Sequence, residues 1–202
     1  MNLNGIINEI KKELDEKDKR REEVFASARE IRRISTKAMR EMHKENYEEA
    51  RVLIQNSKAV VSKLSSEDMA FSFLQEALQE YSEAVLTYAF LKKEKIPTPL
   101  ELGIPSEAYV LGLADSIGEL RRYILDVIRN DDFKEVEYFI DLMDEIFHEI
   151  MAFDYPSAII PIRRKQDIAR ILLEKTRGEV TLALKQTKLE KKLDGAKLGE
   201  ME

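Results

Sequence analysis

LQEYSEAVLTYAFLK (78–92) places Leu78, Tyr81, Val85 and Tyr88 at steps of three and four, and Phe71 and Leu74 carry the same stripe upstream. That is the period of an amphipathic α-helix, with its apolar residues on one side of a 3.6-residue turn. The spacing predicts a helix over about 67–95. Ser65 and Ser66 ahead of an acidic turn open it, and Ile96-Pro97-Thr98-Pro99 stops it. The same grammar repeats outward. Residues 3–44 read as one or two long helices, with Val24, Ile31, Ile34 and Ala38 on one side. Asn46 is placed to cap a helix over 47–64. Pro105-Ser106-Glu107 opens another to about Arg129. Asn130-Asp131-Asp132 forms a turn before a helix over 133–152, Asp154-Tyr155-Pro156 breaks the chain again, and a last helix spans about 158–186. No segment alternates as a strand does. The breaks are too short for domain linkers, and no internal repeat is visible. The expected fold is all-α, a single-domain antiparallel helical bundle of about seven helices over residues 1–188. Residues 189–202 are expected to form a frayed tail.

Composition supports this class and narrows the setting. The chain has 202 residues, 44% apolar and 36% charged, with only 7 Gly and 5 Pro. Low Gly and Pro beside abundant Glu, Lys, Leu and Ala favours helices. There is no Cys, which rules out a disulfide framework and thiolate metal sites. The segment MNLNGIINEIKKELDE carries acids early and does not read as a secretory signal. No apolar run of about 18 residues offers a membrane span. A cytoplasmic protein without membrane contact is the expectation. The net charge of −6 is unevenly spread. Residues 1–44 hold 12 Lys/Arg against 9 Asp/Glu, residues 45–155 hold 10 against 23, and residues 156–193 hold 10 against 4. Two basic ends flank an acidic middle, which leaves room for a local phosphate-binding surface.

Within that middle lie two acidic pairs, Glu80 and Glu83 in LQEYSEAV (78–85), Asp115 and Glu119 in LGLADSIGEL (111–120). Spacings of three and four put both carboxylates of a pair on one helix face. Two such helices facing each other would gather four carboxylates, which a dry site tolerates only around a cation. An all-oxygen set suits Mg²⁺ or Mn²⁺, and such an ion can activate water against a phosphodiester. Placed at 100° per residue, Glu76, Glu80, Glu83 and Thr87 fall opposite the Leu78/Tyr81/Val85 stripe. Asp115, Glu119, Arg122 and Asp126 fall opposite Leu113, Ile117, Leu120 and Ile124. That pattern fits a solvated face and equally a face lining an internal cavity. Ala77, Ala84, Gly112 and Gly118 flank the acids, and Leu86 and Phe90 lean to the same side. Glycine inside a helix costs about 1 kcal/mol relative to Ala, so a close approach by a helix or ligand is expected at Gly112 and Gly118.

The segments REEVFASAREIRRIS (21–35), LQEYSEAVLTYAFLK (78–92), YVLGLADSIGELRRY (109–123) and KQDIARILLEKTRGEVTLAL (165–184) resemble the translin family. Order and spacing agree from about residue 20 to 184. The family comprises translin, a nucleic-acid-binding protein, and translin-associated factor X. The resemblance implies a seven-helix protomer and a closed, barrel-like homo-oligomer, often an octamer, holding RNA inside, with single-stranded DNA as a further candidate. It also implies Mg²⁺-dependent endoribonuclease activity where the acids are present. Glu80, Glu83, Asp115 and Glu119 fall at those catalytic positions, so the chain looks closer to the catalytic translin-associated factor X type. The link KKEKIPTPLELGIP between the motif helices is short here, and the family's basic positions after the first motif are matched only by Lys92 and Lys93.

These readings assign roles. Glu80, Glu83 and Asp115 are candidate metal ligands, and Glu119 ligates or orients the attacking water. Arg29, Arg33, Lys37 and Arg40 step by three and four along the first helix and, with Arg32, Lys92 and Lys93, are candidates for holding the nucleic-acid backbone. Arg163, Arg164, Lys165 and Arg170 could extend that surface. Tyr81 and Tyr88 read as core, and His43 and His148 as structural or exposed. Three rivals stand beside the nuclease. One is a non-catalytic binding protein in which Arg122 neutralises Glu119. One is a purely structural assembly. The third is a di-iron bundle, for which Glu145-Ile-Phe-His148 supplies one Glu-x-x-His and no second exists.

Overall fold

The computed structural model describes residues 3–130 and 132–199, with Lys191 and residues 194–199 as backbone alone. Asp131 of the expected 130–132 turn and residues 200–202 of the expected tail lie outside them. Seven α-helices make up most of the described residues, with no strand among them. They fall into two compact units, residues 1–112 and 113–202.

The first unit holds α1 (Leu3–Met42), α2 (Tyr47–Val61), a 3₁₀ turn (Asp68–Ala70), α3 (Ser72–Leu91), the short α4 (Pro99–Leu102) and the start of α5 (Ser106–Ile128). The second half of α1 packs on α2 and α3 through Val24, Ala28, Ile31, Leu74, Leu78 and Tyr81, all buried. Each large side chain fully withdrawn from water contributes roughly 1.5–3 kcal/mol. Tyr81 and Tyr88 are core residues, as expected. α4 supplies the seventh helix, inside the short link. Thr98 and Glu101 form a reciprocal capping box there, and Gly103 ends it at φ 69°.

Two expected helix starts are built differently in this unit. α3 starts at Ser72, because Asp68 is drawn into the protein instead of capping the helix. The Ser65 backbone N–H donates to Asp68 at 2.7 Å, Arg20 Nε donates to it at 2.9 Å, and a second Arg20 nitrogen closes on its other oxygen. Phe71 is then extended (φ −72°, ψ 119°), which separates the 3₁₀ turn from α3. Asn46 stands at the start of α2, but its side chain donates to Glu41 at 2.8 Å and caps nothing.

The second unit holds the rest of α5, then α6 (Phe133–Met151) and α7 (Arg163–Gly199). Asp132 caps α6 by accepting from the Glu135 N–H at 3.2 Å. Ile117, Leu120, Ile124, Phe139, Met143 and Ile150 are buried, and Tyr123 meets Phe139 edge-on at 4.7 Å. Gln166 Nε2 donates to the carbonyls of Ile150 (2.8 Å) and Phe153 (2.9 Å), pinning the start of α7 to the end of α6. α7 begins five residues later than the 158 expected, because Ile160 and Ile162 are buried from a non-helical segment. It runs past the expected 186 to Gly199. Lys, Leu, Glu and Ala in that stretch are good helix formers and no Pro interrupts them. No helix among the described residues is long and apolar enough to cross a membrane.

Candidate active site

The four acids of the sequence motifs are neither solvated nor sealed off. Glu80, Glu83, Asp115 and Glu119 are all half-buried, whereas Glu76 and Asp126 on the same faces are exposed. On α3 the residues beyond them close over, with Leu86, Thr87 and Phe90 buried.

Gly112 explains how the first pair is held. A β-carbon there would stand 2.7 Å from the Gln79 carbonyl oxygen and 2.8 Å from the Glu83 backbone nitrogen. Only a residue without a side chain lets α5 approach the α3 backbone this closely. Ser82 Oγ donates to the Tyr109 carbonyl at 3.3 Å beside it, and Tyr109 Oη donates to the Pro97 carbonyl at 3.0 Å. Among the described residues no such protein approach is made at Gly118. A β-carbon there would meet only Leu172 Cδ1, at an ordinary 4.0 Å.

Cations stand against two of the acids. Arg32 Nε lies 3.0 Å from Glu80 and its Nη2 lies 2.8 Å from Glu76. In the second unit, Lys165 Nζ lies 2.5 Å from Asp115 Oδ1, with both side chains about a quarter exposed, at 22% and 26%. Sequence reasoning treated Arg32 and Lys165 only as nucleic-acid contacts. Partners 48 and 50 positions apart leave no local signal. On α5 the neighbouring Arg121 donates to Thr176 (2.9 Å) and Glu179 (3.0 Å) on α7.

The predicted basic stripe is on the surface. Arg29, Arg32, Arg33, Lys37, Arg40, Lys92 and Lys93 are all exposed. Arg33 pairs with Glu30 at 2.7 Å and Lys37 with Glu49 at 3.4 Å. Arg29 stacks over Phe25 and Lys92 over Tyr47, 5.1 and 4.7 Å from the ring centroids. Lys93 closes α3 with a left-handed φ of 52°. Exposed pairs of this kind are weak, so these cations can be drawn to a phosphate at little cost. His43 and His148 are exposed, and Glu145 is exposed beside His148, on the outer face of α6. An inward di-iron ligand pair is not formed there.

Each acid is a hard oxygen donor, the type that suits a divalent ion such as Mg²⁺. Among the described residues, no group of three or more Asp, Glu or His side chains is gathered at metal-binding distances.

Comparison with known proteins follows the same lines. No protein-family model matches the chain. An uncharacterized protein of Methanocaldococcus jannaschii is 37% identical over 202 residues, covering 98% of this chain and 89% of that one. AfC3PO matches with a TM-score of 0.82 and 29% identity, over 91% of this chain and 98% of its own. The complex of AfC3PO with duplex RNA gives 0.82 and 28% over the same shares. Apo-NeC3PO, at 19% identity and a TM-score of 0.77, covers 88% of this chain and 96% of its own and speaks for the fold alone. AfC3PO and NeC3PO are translin-family proteins. This chain has a translin-like fold. The seven helices already described match that fold.

Proposed function

We propose that this chain is a member of the translin family that binds RNA and cleaves it internally by metal-dependent phosphodiester hydrolysis, with Mg²⁺ or Mn²⁺ as cofactor, inside a closed homo-oligomer of eight copies. RNA binding is supported by the likeness, over nine-tenths of the chain, to a protein whose complex with duplex RNA is known. The observation that carries the catalytic reading is that the four motif acids are half-buried while other acids on the same helix faces are exposed. A carboxylate drawn part-way out of water is stabilised by positive charge beside it, which Arg32 and Lys165 supply at Glu80 and Asp115 and a bound divalent ion could supply as well.

In this reading the chain is of the translin-associated factor X type. Glu80, Glu83 and Asp115 hold the ion, directly or through water, and Glu119 orients the attacking water. When bound, the ion supplies a water of lowered pKa and positive charge for the phosphate. Arg29, Arg32, Arg33, Lys37, Arg40, Lys92 and Lys93 grip the backbone, which gives salt-dependent binding with little sequence preference.

One observation favours a second reading, a non-catalytic protein that binds RNA or single-stranded DNA. Among the described residues no metal-holding group of three or more acids is found, and Glu80 and Asp115 already have basic partners. The test is cleavage of labelled single-stranded and duplex RNA by wild type and Asp115→Asn, with Mg²⁺ and with EDTA. Cutting that needs both the ion and Asp115 supports the nuclease. Binding without cutting in any metal leaves the second reading.

A further inference from the structure

Lys165 Nζ stands 2.5 Å from Asp115 Oδ1, and its position is poor for a purely structural role. It lies in the first turn of α7 with Arg163 and Arg164, and no acid shares that turn. A helix N-terminus is its positive end, so cations there are unfavourable and acids are the usual occupants. Lys165 is nevertheless held there: its N–H donates to the Ile162 carbonyl at 2.8 Å, and Gln166 anchors the turn to α6. Its side chain closes on Asp115 at 2.5 Å, in a half-buried setting that screens the pair less than open solvent does. Arg163, by contrast, reaches the exposed Asp154 at 3.3 Å, a pairing of the ordinary surface kind.

We propose that Lys165 is an exchangeable counter-cation, occupying Asp115 until a divalent ion takes its place and then turning to an RNA phosphate. This rests on the reading of Asp115 as a metal ligand. A lysine is suited to the exchange. Its ammonium is a compact charge on a flexible four-carbon stem with three rotatable donors, whereas a guanidinium is committed to a planar fork. One ammonium and one divalent ion cannot share the same carboxylate oxygen. The ammonium that leaves carries a full charge, and the incoming phosphate neutralises it. Metal and RNA binding are then coupled, each tightening the other by the same factor, as linkage requires. Lys165 is thus a positioning residue whose effect is read in binding before any chemistry occurs.

The test uses full-length protein and two binding measurements. Free Mn²⁺ is followed by electron paramagnetic resonance in the absence of RNA. Affinity for a labelled RNA duplex is followed by anisotropy in Ca²⁺ and in EDTA. Lys165→Met should tighten Mn²⁺ binding about three- to tenfold, while Lys165→Arg stays near wild type and Arg164→Met changes it less than twofold. In wild type Ca²⁺ should tighten RNA binding about fivefold or more, and in Lys165→Met that gain should fall below twofold. Asp115→Asn separates the two levels. If it abolishes Mn²⁺ binding while Lys165→Met leaves the affinity unchanged or weaker, the exchange is overturned and the metal reading stands. If Asp115→Asn leaves Mn²⁺ binding intact, both fall. Circular dichroism of each variant confirms that the helices are retained.

Discussion

Gly112 sits so close to Glu83 that a methyl group on its α-carbon would stand 2.8 Å from the Glu83 backbone nitrogen. The atoms it would meet, the Gln79 carbonyl oxygen among them, are largely backbone and cannot turn aside. Gly112→Ala should therefore destabilise the protein by about 1–3 kcal/mol, the usual cost of overpacking. It should also cost activity by displacing Glu83. Gly118 and Gly178 have no such neighbour: the first would meet Leu172 at 4.0 Å and the second nothing within 4 Å. Gly118→Ala and Gly178→Ala should stabilise by up to about 1 kcal/mol through helix propensity. Urea denaturation of the three variants checks the contrast.

Arg32 joins the basic stripe to the first acid pair through Glu76 and Glu80. Its side chain is 46% exposed, so the ion pairs themselves add less than about 1 kcal/mol. Arg32→Ala should leave the unfolding midpoint nearly unchanged. It should weaken RNA binding and lower the slope of log K against log salt by about one, the loss of one phosphate contact. Anisotropy titrations at several salt concentrations measure both.

Asp68 makes stability sensitive to acid. The Arg20 guanidinium, with the Ser65 N–H, holds its carboxyl down to about 2. Its folded value lies below the unfolded one of about 4, so the carboxylate's contribution is complete above pH ~4 and is lost as pH falls towards 2. Asp68→Asn should lower stability by about 1–3 kcal/mol at neutral pH, the range for breaking charge-assisted hydrogen bonds to a buried group. It should also flatten the fall in melting temperature between pH 4 and 2. Thermal melts across that window are the measurement.

Lys93 carries two demands of opposite sign. It is a candidate phosphate contact, and it holds φ 52°, a left-handed conformation that costs a residue with a side chain about 1–2 kcal/mol. Lys93→Gly should raise stability by about 0.5–1 kcal/mol while weakening RNA binding. Glu45, at φ 62° after α1, has no proposed contact. Glu45→Gly should raise stability without touching RNA affinity. Parallel denaturation and binding curves separate the two.

The helices were legible because their signals are local. The three- and four-residue steps through Leu78, Tyr81 and Val85, the Pro97 and Pro99 stop and the Asn130-Asp131-Asp132 break each act within a turn or two of themselves. The same locality made both acid pairs visible, since i, i+3 and i, i+4 spacing is itself a helical distance. Where long-range packing intervenes, the local signal misleads. Ser65 and Ser66 announce a helix, yet the bond from Arg20, 48 positions from Asp68, turns that start into a 3₁₀ turn. Gly112 and Gly118 look alike in LGLADSIGEL, yet only Gly112 has a backbone pressed against it.

The sequence alone therefore determined an all-α chain, its helical faces and which acids share one. The tertiary structure decided what each face meets. It left Glu80 and Asp115 half-buried and set Arg32 and Lys165 against them. The physical reason is reach. Helical periodicity is written in neighbours a few residues apart, whereas an ion pair depends on the path of every residue between its partners.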